Sequence, residues 1–98
     1  MSFSDLQAAH RRLLMLELLA EDMDYAINNR TMKSELAARG EGVSSDLVRA
    51  DFDWLQEMGL ITVEDLDVIT VARITTRGHD VAKGYATVKG VARPGPGV

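Results

Sequence analysis

Side chains able to bind nucleic acid cluster in the middle of the chain, where two serines and an arginine lie within six residues. Hydroxyl and guanidinium groups of this kind contact phosphates and base edges when they occupy the first turns of a helix in a DNA groove. Further cations that could contact a phosphate backbone precede and follow this cluster. The candidate DNA-binding residues are Arg30, Lys33, Ser44, Ser45, Arg49, Arg73 and Arg77.

Carboxylates occupy the neighbouring positions and oppose DNA binding. On the helix predicted for residues 45–58, Asp46 and Asp53 lie on the same outward face as Arg49. Asp53 follows Arg49 at the four-residue spacing that permits an ion pair on a helix. Such a pair would withdraw Arg49 from base contacts, so a structural and a functional role for this arginine both remain open. We predict that a wider acidic set is a solvated helix face: Asp46, Asp51, Asp53 and Glu57.

Charge is distributed unevenly along the 98 residues. The net charge is −4, but five basic residues and one aspartate give residues 73–98 a charge of +4, which leaves −8 for residues 1–72. A basic C-terminal quarter can bind phosphate, or it can bind the acidic body of a second copy of the chain. The predicted hairpin tip is acidic as well, with Glu64, Asp65 and Asp67 where DNA-binding hairpins often carry arginine or lysine.

Composition argues against several classes of function. The chain has no cysteine, so it carries neither disulfides nor thiolate chemistry. His10 and His79 are the only histidines, and neither has the spacing of a metal ligand or a catalytic base, so we predict no enzymatic activity, cofactor or metal. The longest apolar run, Leu13 to Leu16, is far shorter than the ~20 residues that span a bilayer, and the N-terminus lacks a signal-peptide pattern. We therefore expect a soluble cytoplasmic protein that does not enter membranes.

Apolar residues repeat at helical spacing near the N-terminus. They predict a first helix over about Asp5–Asp22, which Ser4 would cap with Gln7 at the capping-box spacing. Its apolar stripe includes Leu14 and Leu18 and is wider than one small core requires. We therefore predict a homodimer formed through the first helix and the C-terminal segment.

Two further helices follow in quick succession. Residues 29–39, capped by Asn28, and residues 45–58, capped by Ser44, have helical periodicity and side chains suited to a helix start. The connection from Gly40 to Val43 is short enough to hold these two helices at the steep angle of a helix-turn-helix.

The C-terminal half adds a hairpin and a short helix. The β-branched runs LITVED and VITVARIT predict two strands around a short tip. Thr75 is predicted to cap a last helix, although Gly78 within it is a poor helix former. Glycines and prolines predict that residues 85–98 form an extended basic arm beyond a single domain of residues 1–84. The predicted fold class is therefore mainly α with a small β-hairpin (α+β).

This order of elements, over about Leu6–Gly84, resembles the winged helix-turn-helix superfamily. Its general arrangement is similar to that of ArsR-like regulators. The phrases WLQEMGLITVE and ITTRGHDVA carry most of the likeness, and with the GVARPGPG tail they are similar to small winged-helix proteins of Mu-like prophages. The resemblance implies DNA binding and a phage or prophage origin. Because the metal-sensing cysteines of many ArsR-like proteins are absent, it implies no metal site.

Two functions fit these observations. One is a DNA-binding transcriptional regulator that places the third helix, about residues 45–58, in the major groove of double-stranded DNA. The other is a protein-interaction module whose acidic third helix and hairpin dock a basic protein partner. The resemblance favours the regulator, whereas the acidic outward residues favour the interaction module.

Overall fold

The computed structural model describes residues 2–95. Four helices and three short strands follow one another along this part of the chain. In chain order the elements are α1 (Phe3–Glu21), β1 (Ala26–Asn28), α2 (Asn29–Ala38), α3 (Ser45–Glu57), β2 (Ile61–Asp65), β3 (Thr70–Ile74) and α4 (Thr76–Lys83). The strands form one sheet in the order β1-β3-β2. This is a winged helix-turn-helix in which α2 and α3 form the helix-turn-helix and the β2–β3 hairpin is the wing, so the α+β prediction is confirmed.

The start of α1 lies two residues earlier than predicted. Ser2, and not Ser4, caps the helix: its hydroxyl accepts the Asp5 N–H at 3.1 Å, and the Asp5 carboxylate accepts the Ser2 N–H at 3.3 Å. This reciprocal pair satisfies two backbone donors, which Ser4 with Gln7 does not do here. The predicted starts of α2 and α3 are confirmed, with Asn28 accepting the Thr31 N–H and Ser44 accepting the Leu47 N–H.

Strand β1 was not predicted from the sequence. Its three residues are too few to show alternation, and they form a strand only because β3 pairs with them, with Ile27 opposite Ala72. The Asn29 side chain strengthens this edge by accepting the Thr70 N–H at 2.9 Å. The wing therefore grows from a three-stranded sheet and not from an isolated hairpin.

The core lies between the helices and one face of the sheet. Met32, Leu36, Val48, Phe52 and Leu55, from the apolar stripes of α2 and α3, are almost fully buried there. These five residues occupy the inward positions that the periodicity predicts. None of the helices within residues 2–95 combines the length and the apolar character needed to cross a bilayer.

The described part of the C-terminal arm packs along α1. Val91 is buried in the core, and the Ala92 N–H donates to the Ala9 carbonyl at 3.1 Å. Leu14 packs partly buried against the core and Leu18 is buried, so the part of the α1 stripe that these two residues widen is covered within one chain. The stripe alone therefore does not require a second copy. Residues 96–98 of the predicted arm lie outside the described residues, and the domain boundary at Gly84 stays a prediction.

Candidate nucleic-acid interface

The first turns of α2 and α3 lie side by side on the surface. The Lys33 ammonium on α2 donates to the Ser45 hydroxyl on α3 at 3.3 Å. Arg30 precedes Lys33 by three residues and lies on the same side of α2. Ser44 and Arg49 flank Ser45 on α3, and all five side chains are exposed. The helix-turn-helix therefore brings five of the seven candidate DNA-binding residues to one region.

An outer face of α3 is formed by the exposed residues Asp46, Arg49, Ala50 and Asp53. Arg49 makes no ion pair with any residue in the range 2–95, so the pair with Asp53 that the spacing permits is not formed. Arg49 and Asp53 also line a cleft of about 350 Å³ between α3 and the wing, opposite Asp65. The guanidinium of Arg49 is thus available to a ligand approaching this cleft.

The two remaining candidates lie elsewhere. Arg73 is on β3, where its guanidinium donates to the Asp24 carbonyl at 2.9 Å and borders a shallow depression with Tyr25. Arg77 is exposed on the first turn of α4. No described contact joins either arginine to the region of Lys33, and their role in phosphate binding stays a prediction.

The prediction that Asp51 belongs to a solvated acidic face is wrong. Its carboxylate is buried and accepts hydrogen bonds from Arg11 and from Arg12 Nε, the latter at 3.3 Å. The sequence signal for this buried carboxylate was the pair of adjacent arginines, Arg11 and Arg12, among the apolar residues of α1, because buried arginines need an anion. Within residues 2–95, no three carboxylate or imidazole groups lie close enough together to hold a metal ion.

Arg12 extends this buried group to the arm. Its guanidinium lies 4.0 Å from the centre of the Trp54 ring and donates to the Gly90 carbonyl at 3.1 Å. Gly90 has a left-handed φ of 101°, and a Cβ there would lie 2.6 Å from the Trp54 ring. We call Arg11, Arg12, Asp51, Trp54 and Gly90 the arginine cluster. Because it joins α1, α3 and the arm, it fixes the orientation of α3 from the side opposite its outer face.

The wing carries acidic and apolar side chains at its tip. Glu64, Asp65 and Asp67 are exposed, as the sequence predicts, and the Asp65 carboxylate accepts the Asp67 N–H at 3.1 Å. Leu66 and Val68 are exposed beside them. The tip is therefore poorly suited to phosphate, and it offers apolar surface to a protein.

The Glu17 carboxyl, whose pKa is raised, lies away from this region. Burial raises the pKa of the Glu17 carboxyl on α1, neighbouring Glu21 raises it further, and Lys83 on α4 lowers it. The group belongs to the contact between α1 and α4. It adds nothing to the chemistry of the outer face of α3.

Sequence comparison finds relatives of the chain in a phage and in a bacterium. The protein gp26 of Escherichia phage Mu is 43% identical over 93 residues, which cover 95% of this chain and 96% of gp26. The chain belongs to the gp26 family. A protein of Haemophilus influenzae is 41% identical to this gp26-family chain over 78 residues, covering 79% of the chain and 76% of that relative. Both relatives are described as uncharacterized proteins, so they indicate ancestry and not activity.

Structural comparison identifies the fold of the gp26-family chain. The solved structure of a complex of hsRosR-S4 matches it with a TM-score of 0.62 and 22% identity, covering 81% of this chain and 76% of that one. The likeness is at the level of the fold, and it agrees with the winged helix-turn-helix described above. The chain matches no protein-family model. The resemblance to proteins of Mu-like phages is confirmed by gp26, whereas the ArsR-like resemblance stays a prediction.

Proposed function

We propose that this gp26-family chain is a DNA-binding transcriptional regulator, encoded by a phage or prophage, that inserts α3 into the major groove. The observation that carries the proposal is the contact of Lys33 with Ser45, which unites the cations and hydroxyls of α2 and α3 on one exposed surface. The free guanidinium of Arg49 lies beside it, where a recognition helix contacts base edges.

Phosphate contacts come from the helix starts in this proposal. Arg30, Lys33, Ser44 and Ser45 lie where backbone N–H groups of the first turns also favour an anion. Arg73 and Arg77 act as additional backbone contacts at the far end of the wing. Because the cations are few and the wing tip is acidic, binding to random DNA is weak, and its salt dependence is shallow because few counterions are released.

Several finer features belong to the same proposal. The regulator is ArsR-like in its arrangement of helices and wing but senses no metal through cysteine, since the chain has none. It acts in the cytoplasm, where the DNA of an infecting or integrated phage is transcribed. It needs no cofactor and catalyses no reaction.

Arg49→Ala is expected to weaken specific DNA binding by about 5- to 150-fold, the value of one good arginine–guanine contact. The measurement is fluorescence anisotropy with duplex fragments of the DNA flanking the gene, at about 50 mM and about 200 mM salt. Arg39→Ala is the matched control, because Arg39 is exposed but pairs with Glu35 near the end of α2. Absence of wild-type binding at both salt concentrations would refute the regulator.

The homodimer through α1 and the C-terminal segment also belongs to this proposal. Large apolar side chains remain exposed there, with Phe3 and Leu6 on α1 and Tyr85 at the start of the arm. We expect Phe3→Ser combined with Leu6→Ser to convert a dimer into a monomer in sedimentation velocity. Met23→Ser, at an exposed residue outside both segments, is expected to leave the dimer intact. A wild-type chain that is monomeric at high micromolar concentration contradicts the dimer.

A second candidate is supported by the wing tip. Exposed Leu66 and Val68 among carboxylates match a basic, partly apolar protein surface better than they match DNA. In this function the outer face of α3 and the wing dock a basic protein partner. Binding of a lysine-rich peptide that Leu66→Ser abolishes, with no DNA binding, would establish this alternative.

A further inference from the structure

We propose that the outer face of α3 reads cytosine and guanine, so that the DNA site of this chain contains adjacent G·C pairs. The inference rests on the proposed regulator and names the sequence class that its α3 selects. Asp46 and Asp53 accept hydrogen bonds from cytosine amino groups, and Arg49 donates to guanine.

The geometry of α3 presents these side chains together. Asp46, Arg49 and Asp53 follow one another at steps of three and four residues, and all three are exposed. Val48 and Phe52 occupy the opposite, buried side of the helix. At about 1.5 Å of rise per residue, the seven residue-to-residue steps from Asp46 to Asp53 span about three base-pair steps of about 3.4 Å. One helix face can therefore contact three or four consecutive base pairs.

The major groove makes carboxylates selective. Guanine presents two acceptors and thymine an acceptor and a methyl group, so both repel or fail to pair with a carboxylate. Cytosine presents the N4 amino donor. Adenine presents an amino donor too, but the N7 acceptor lies beside it and repels a carboxylate. Asp46 and Asp53 thus favour cytosine, while the free guanidinium of Arg49 fits the paired acceptors of guanine.

Structural roles do not account for both carboxylates. Asp46 lies in the first turn of α3, where a negative charge favours the helix start. Asp53 lies in the middle of α3 and makes no ion pair within residues 2–95. Both carboxylates repel phosphate, so they lower the affinity for every sequence and the loss is offset only where cytosine amino groups meet them. The acidic helix thereby becomes a source of discrimination between sequences.

The test is selection from a random duplex pool with the full-length chain and three variants. Wild type is expected to enrich a site with cytosine and guanine at adjacent positions. Asp53→Asn is expected to change one selected cytosine to adenine, because an amide pairs with the adenine N6 and N7, and to weaken binding to the wild-type site about tenfold. Asp46→Asn is expected to do the same at a second position. Glu57→Gln, on the last turn of the same helix, removes an equal charge and is expected to leave the selected site unchanged.

The outcomes separate the inference from the function on which it rests. An enriched site that is rich in A·T pairs, or that both asparagine variants select unchanged, overturns the cytosine readout while DNA binding stands. A pool from which wild type enriches nothing removes the proposed regulator and the inference with it. The readout is established if the selected base changes at the predicted cytosines in Asp46→Asn and Asp53→Asn but not in Glu57→Gln.

Discussion

Asp51→Ala is expected to lower the free energy of unfolding by about 3–5 kcal/mol, the usual loss when one partner of a buried ion pair is removed. The variant would leave Arg11 buried without its anion, and Arg12 would retain only the Trp54 ring and the Gly90 carbonyl. Because Asp51 is 2% exposed, water cannot replace the lost acceptor without opening the contact between α1 and α3. Urea unfolding followed by circular dichroism measures the change.

Asp53→Ala is the matched control for this prediction. It removes the same charge from the same helix two residues away, but Asp53 is exposed and is expected to change stability by no more than about 0.5 kcal/mol. Equal stabilities for the two alanine variants would contradict the buried arginine cluster. A second readout is the near-ultraviolet signal of Trp54, the single tryptophan, which is expected to change in Asp51→Ala and not in Asp53→Ala.

Helix starts could be predicted because they depend on neighbouring residues. Asn28 and Ser44 each bond a backbone N–H three residues ahead, so the information lies within one turn of sequence. The start of α1 was misplaced because two serines, Ser2 and Ser4, compete for the same role and only Ser2 has an aspartate at the third helical position. Local rules identify a cap but do not rank two adjacent candidates well.

Contacts between distant residues account for what the sequence did not reveal. Strand β1 depends on β3, about 45 residues later, and Asp51 is buried because α1 supplies two arginines. The arm covers α1 through Val91, near the end of the chain. Periodicity marks a stripe as apolar without saying which segment covers it, so the same stripe predicted a dimer contact.

In the candidate site, too, the sequence predicted what depends on neighbouring residues and did not predict individual side-chain contacts. The short connection between α2 and α3 predicted that their starts meet, and the contact of Lys33 with Ser45 places them together. The spacing of Arg49 and Asp53 permitted an ion pair but did not require one. Both side chains are exposed, so water can solvate each charge without a partner.

Gly78→Ala is expected to destabilise the protein by about 1–3 kcal/mol, the range for overpacking a core. Helix propensity alone gives the opposite sign, since alanine is better than glycine inside a helix by about 1 kcal/mol. The decisive fact is that a Cβ at Gly78 would lie 2.0 Å from the Leu60 carbonyl oxygen and 2.9 Å from Ile74 Cγ1. Steric overlap with the backbone therefore outweighs propensity.

The overlap at Gly78 cannot be relieved cheaply. The Leu60 carbonyl accepts the Thr75 N–H at 3.1 Å, and the Leu60 N–H donates to Leu55 at the end of α3, so this backbone is held on both sides. Helix α4 must move instead, which withdraws Val81 from the core. Gly42→Ala is the control, because its Cβ would meet Ala37 at an ordinary 3.9 Å and the substitution is expected to be neutral or slightly stabilising. If thermal unfolding ranks Gly78→Ala with Gly42→Ala, α4 does not lie as close to the Leu60 carbonyl as this fold requires.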